Sequence, residues 1–189
     1  MATTTVAPEI LDRLFNDDLH RYELVDGELQ SKPMVSIYHS LLMTHLGRML
    51  LNKLEELGQA EEFWVLTDPL AKIRYDHWRR PDVVVIRAED AEPWKYVMPG
   101  HWPVLCIELV SKPSQTVDEL LEKCKLYHAQ GVPHCWVLEP ESRVAWQYDS
   151  DAEPRSITGA ASLSIPAVGI SFSLDDVWQG LRNKRGARE

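Results

Sequence analysis

The sequence is short of cysteine, of long apolar runs and of positive charge, and each shortage narrows the class of protein. Its three cysteines, Cys106, Cys124 and Cys135, form no C-x-x-C pair and leave an odd thiol under any pairing. Reduced thiols in a cytoplasmic protein are the simplest reading and the expectation. No apolar run approaches the roughly 20 residues of a membrane-spanning helix, so no membrane association is expected. The opening stretch MATTTVAPEILDRLF lacks a basic segment followed by an apolar core, the pattern of a secretory signal. With 20 Lys and Arg against 29 Asp and Glu, the formal net charge is −9. Bulk electrostatic coating of nucleic acid is thereby disfavoured, whereas an enzyme with a local basic patch is not. Neither a G-x-G-x-x-G nor a P-loop occurs, and no Ser-His-Asp set can be argued from spacing.

What remains is an ordinary globular composition, 44% hydrophobic and 26% charged over 189 residues. That suits one domain, residues 1–189, with a core that needs no staples. Ile10, Leu11, Leu14 and Phe15 suit a short first helix. In RYELVDGELQSKP, Asp26-Gly27 is the dipeptide favoured in tight hairpin turns, which puts Glu23 on one strand and Glu28 on the next. The spacing of Leu42, His45, Leu46, Met49, Leu50, Leu54 and Leu57 predicts an amphipathic helix over residues 40–57, stopped by Gly58. Extended stretches follow at 62–67, 70–75, 82–87 and 104–110, with an irregular proline-bearing loop over 88–103. Thr116 and Glu119 form a capping box for a helix over 117–130, which Gly131 and Pro133 end. Strands at 134–139 and 143–148, short extended pieces at 163–165 and 170–172, and a helix from Leu174 to Arg182 complete a mixed α/β pattern.

Two of the strands carry the chemistry. Val83–Ile86 and Val104–Ile107 are near-continuous apolar runs, as in strands buried on both faces. Yet Asp82 precedes the first and Glu108 follows the second. A carboxylate beside a buried strand is costly unless a cation, a metal or dense hydrogen bonding offsets it. Two converging carboxylates suit a hard divalent ion such as Mg²⁺, which can activate water and neutralise charge on a phosphodiester. The same acids also fit ordinary strand-end residues facing solvent. Lys72, Arg74, Arg79, Arg80 and Arg87 surround the first of these strands; a solvated face accounts for them equally well.

Asp82 in RPDVVVI, Glu108 in IELVS, the hairpin YELVDGEL, His39 opening a helix, the lysine-bearing helix ending LYHAQGVP, and CWVLEP occur in the order of a known pattern. Over roughly residues 20–148 the chain resembles the PD-(D/E)XK nuclease superfamily, and more closely its branch described as putative restriction endonucleases. The resemblance implies a restriction endonuclease-like core: a central mixed β-sheet flanked by helices, with an N-terminal β-hairpin. It implies a Mg²⁺- or Mn²⁺-dependent endonuclease acting on nucleic acid, DNA above RNA, as a homodimer. Asp82 and Glu108 would hold the metal. Val110 stands where the usual lysine of Glu-x-Lys would be, and the resemblance points to Lys123, four residues before Tyr127, as its replacement. Lys112 is the alternative if the strand persists that far, which Pro113 opposes. Glu23 matches the acid of the hairpin segment and would supply a third carboxylate, or else face solvent. His39 fits the edge of an active site or a helix N-terminal cap, and Tyr127 fits packing.

A rival metal site from Cys124, His128, His134 and Cys135 has helical spacing compatible with zinc, but Cys124 lies in the apolar stripe and core burial explains it better. Trp64, Trp136 and Trp146 read as core or interface. The missing lysine at Val110 and the acidic charge leave room for a catalytically silent relative acting as a nucleic-acid-binding or protein-interaction module. Tryptophan-rich strands leave room for a structural homodimer.

Overall fold

The computed structural model describes residues 6–17, 21–32, 34–91 and 101–179. In chain order its elements are α1 (Pro8–Asn16), β1 (Tyr22–Val25), β2 (Glu28–Ser31), α2 (Ile37–Glu56), β3 (Phe63–Thr67), β4 (Ala71–Arg74), β5 (His77–Arg79) and β6 (Val83–Arg87). There follow β7 (Leu105–Leu109), α3 (Val117–His128), β8 (His134–Glu139), β9 (Val144–Asp149), β10 (Arg155–Ile157), β11 (Ser162–Ile165), β12 (Ile170–Ser173) and α4 (Leu174–Gln179). The expected helix end at Arg182 lies outside the described residues.

Six strands form a central mixed sheet in the order β10-β9-β8-β7-β6-β3. Neighbours in it are antiparallel except β7 and β8, which run parallel and are joined by the crossover helix α3. Alternation of side chains sorts the apolar runs onto two faces. Val83, Val85, Leu105, Ile107, Trp136 and Leu138 point to one face, where Leu42, Leu46, Leu50 and Leu54 of α2 and the C-terminal hairpin β11–β12 with α4 cover them. Val84, Cys106, Cys135 and Val137 point to the other, against Leu120, Cys124 and Tyr127 of α3. Each of these leucines is close to fully buried, so truncating Leu50 to Ala would cost about 2–5 kcal/mol. The same period of two puts Asp82 and Glu108 on the α3 face, two residues from Val84 and Cys106 respectively.

Three expectations need correcting. The stretch at 70–75 does not join the central sheet. It is β4, which turns at Tyr75-Asp76 into β5, a strand that the sequence pattern did not reveal, and both join the hairpin in a second sheet, β2-β1-β5-β4. The hairpin itself is as expected: Asp26 (φ 51°) and Gly27 (φ 85°) form a turn with both central residues in the left-handed region. The second correction concerns α2, which starts at Ile37 rather than near residue 40. Its cap is Ser36, whose hydroxyl accepts from the His39 N–H, so His39 sits inside the first turn and is not the cap. The third concerns α3, which stops at His128 with its capping box formed as expected by Thr116 and Glu119.

The cysteines Cys106, Cys124 and Cys135 are free and buried together in the α3 core. His128 instead meets the Val132 carbonyl and His134 meets Asp149, so the zinc alternative finds no support. Among the described residues, no helix is long and apolar enough to cross a membrane.

Candidate active site

The α3 face of the central sheet ends in a cluster of buried charge. β6 and β7 pair from Val83 with Ile107, and the Asp82 N–H donates to the Ile107 carbonyl at 3.0 Å. That pairing brings Asp82 alongside the end of β7, where its Oδ2 accepts from the Leu109 N–H at 2.7 Å. Asp82 thus reaches the residue next to Glu108, and both carboxylates are all but fully buried. The sheet register is what converges them.

Lys123 projects from α3 onto the same point. Its Nζ lies 2.7 Å from Glu23 Oε1, and 3.1 Å and 3.2 Å from the two oxygens of Glu108. One turn on, the Tyr127 hydroxyl donates to Glu108 Oε1 at 2.7 Å. Tyr127 therefore does more than pack. Lys123 itself is buried. Lys112 is elsewhere: it pairs with Glu139 and, at 3.7 Å, with Glu141, and its side chain is half exposed. β7 ends at Leu109, so the strand does not carry Lys112 toward the acids.

Glu23, on β1, is saturated by donors. Lys123 and the Arg80 N–H reach its Oε1, and Arg79 reaches Oε2 at 3.0 Å. Its place is as the anchor of Lys123. His39, in the first turn of α2, shares a 2.7 Å contact between Nδ1 and Ser111 Oγ, while its Nε2 lies 3.3 Å from Asp82 Oδ1. Ser111, His39 and Asp82 so form a row that sequence spacing could not reveal.

Lys32 is the residue that sequence reasoning missed. It follows β2 directly, and its Nζ is 2.8 Å from Asp82 Oδ1, 2.9 Å from Asp68 Oδ1 and 2.9 Å from the Arg80 carbonyl. An ammonium has three donors, and all three are used. Arg21 and Arg80 complete the surroundings of Asp68 at 2.6 Å and 3.7 Å. The only sequence signal for Lys32 was a lysine directly after a strand that carries acids across its turn, which is too common to be informative.

Burial and pairing pull the acids apart electrostatically. Burial alone would raise the pKa of Glu23, but Lys123, the Arg80 N–H and Arg79 outweigh it and bring it down to about 2. Asp82 is likewise lowered, since His39 and Lys32 override its burial. Glu108 goes the other way: burial dominates, Lys123 offsets only part of it, Asp82 adds repulsion, and the pKa rises to about 7. Burial disfavours the charged forms of Lys123 and Lys32, yet the surrounding carboxylates raise both. Two acids so close with opposite shifts mark a site poised for proton or cation exchange.

The donor set fits a hard divalent ion. Glu108 Oε2 receives nothing shorter than the 3.2 Å contact from Lys123, and both candidate ligands are carboxylates. Among the described residues no group of three or more His, Cys, Asp and Glu could hold a metal. Those residues therefore form no dedicated protein cage, and an ion here would keep waters or take substrate oxygens, as Mg²⁺ does.

A family model described as Uma2, putative restriction endonuclease, matches residues 8–175. The fold is similar to a solved structure described as a putative nuclease belonging to DUF820 from Anabaena variabilis. The two share a TM-score of 0.72 and 17% sequence identity, over 85% of this chain and 91% of that one. No curated protein matches the chain.

Proposed function

From the premise that the chain belongs to the Uma2 family, we propose that it is a divalent-metal-dependent endonuclease, with Asp82 and Glu108 as metal ligands and Lys123 as the charge-stabilising group. The observation that carries this reading is the contact of Lys123 with Glu108, which puts an ammonium beside the acids although Val110 stands at the usual lysine position. When bound, Mg²⁺ or Mn²⁺ would supply charge neutralisation at the phosphate and activation of a water.

The protein's own residues account for the rest. Lys123 is held by Glu23 and by both oxygens of Glu108, and it lines the adjoining polar cleft, where its fixed charge would face a phosphate oxygen. Fixed charge of this kind favours the transition state because it needs no reorganisation as negative charge develops. Glu23 holds Lys123 in place. Lys32, with every donor occupied, holds Asp82 and is not available to substrate. Tyr127 fixes the rotamer of Glu108.

The reading is tested by incubating purified protein with single- and double-stranded DNA and RNA in Mg²⁺ or Mn²⁺. Internal cleavage that EDTA stops and that Glu108→Gln lowers by about 10²-fold or more is the expected result. Absence of cleavage on every substrate, with folded protein, would identify a catalytically silent relative instead.

A further inference from the structure

Two clefts adjoin the acid cluster. The polar cleft is lined by Glu23, Lys32, Arg79 and Lys123. Next to it, sharing Ser114, lies a groove of about 730 Å³ whose walls include Met34, Val35, Tyr38, Val110, Pro113 and Pro140. His39 and Ser111 line it too, so its floor is one side chain from Asp82. Ser36, Lys112, Ser114, Glu139 and Glu141 complete its lining, yet most of its exposed wall is apolar, which together with its size suits a small-ligand site.

The charges near the two clefts are already spent on one another. Lys32 pairs with Asp68 and Asp82, Arg79 with Glu23, Lys123 with Glu23 and Glu108, and Lys112 with Glu139. The polar cleft also carries Glu119 and Glu122. Affinity for a duplex comes chiefly from lysines and arginines that neutralise many phosphates, and these four cations are each already paired with carboxylates. Binding must draw on something other than the backbone charge. An unstacked base offers an apolar face that buries against aromatic and aliphatic walls, with no charge to neutralise.

We propose that the groove beside His39 and Ser111 is a nucleobase subsite, which takes one unpaired base next to the phosphate held at Asp82, Glu108 and Lys123. It rests on the nuclease reading and specifies its substrate: single-stranded DNA, or a strand with a base turned out of the stack. The three serines of the groove already bond within the protein, Ser36 accepting from the His39 N–H, Ser111 meeting His39 and Ser114 donating to the Ser111 carbonyl, so recognition draws chiefly on stacking and shape and tolerates any base.

The test compares three short DNA probes by fluorescence anisotropy in EDTA: a single strand, its duplex, and a strand of equal length with abasic sugars. Phosphate count is matched between the two single strands, so the base alone differs. The single strand is expected to bind about tenfold more tightly than either other probe, with a shallow salt dependence. Met34 is 98% exposed, so Met34→Glu places a charge at the groove rim without a folding cost. It should erase the advantage of the base-bearing strand and raise KM for cleavage about tenfold, while Mn²⁺ binding by calorimetry stays unchanged. Equal binding of abasic and base-bearing strands, or a duplex preference untouched by Met34→Glu, would overturn the subsite and leave the nuclease standing. Failure of all probes to bind, with no cleavage of any nucleic acid, would overturn both.

Discussion

Replacing Lys123 with Met keeps most of its volume and removes its charge. Glu23 would retain Arg79 and the Arg80 N–H, but Glu108 would be left with only the Tyr127 hydroxyl. Breaking a buried ion pair by removing one partner costs about 3–5 kcal/mol when the other stays charged. Glu108 has an escape, because its pKa already stands at about 7 with the lysine present. Without the lysine it rises further, and the acid takes up a proton. The loss of stability should therefore be small at pH 6 and grow by about 1.4 kcal/mol per pH unit above 7, toward the full cost. At about 2–4 °C per kcal/mol for a chain of this size, the Tm difference from wild type should reach about 10 °C by pH 9. Thermal melts from pH 6 to 9, without metal, measure this. Adding Glu108→Gln to the variant should flatten the pH dependence without restoring cleavage. A Tm difference that does not change with pH would refute the claim that Lys123 serves as the counter-charge of Glu108.

Glu108 also gives the wild type a pH signature. Its folded pKa lies above its ordinary value of 4.5, so the metal-free protein loses stability as pH rises from 4.5 through 7, by about 3 kcal/mol relative to Glu108→Gln. Saturating Mn²⁺ should remove that decline, and a wild type parallel to Glu108→Gln across this range would contradict it. Glu23, lowered to about 2, contributes stability that is present above pH 4.5 and is lost as pH falls through 2, which Glu23→Gln should abolish in acid melts. Lys32→Met leaves Asp68 to Arg21 and Arg80 but takes from the buried Asp82 its lysine, leaving it His39 and the Leu109 N–H, and should lower Tm by about 10 °C. Mn²⁺ should raise the Tm of that variant more than it raises the wild type, since the ion restores charge that the lysine supplied; equal shifts would count against the clamp.

The parts of this arrangement legible in the sequence were those with local signals. The capping box, the Asp26-Gly27 turn and the apolar runs of β6 and β7 each follow from short-range stereochemistry, and the apolar runs by themselves put Asp82 and Glu108 at strand ends. The partners of those acids were not legible in the same way. Lys123 was favoured only through resemblance, because helical periodicity shows which face of α3 is apolar and cannot show that an acid pair lies under one shoulder. Lys32 and Asp68 are fifty and fourteen positions from Asp82 and come together only when β1 and β2 join β5, a strand whose three residues were too few to show a period. His39 was noticed, but its cap role belonged to Ser36, three residues earlier, since β-branched Ile37 and Val35 hid the true helix start.

The central claim is that Asp82 and Glu108 form a divalent-metal site, and calorimetric titration of Mn²⁺ at pH 8 into wild type and Asp82→Asn tests it most directly. Saturable binding by the wild type that is lost in a folded Asp82→Asn is the expected result. Equal binding by both proteins, or none by the wild type, would contradict it.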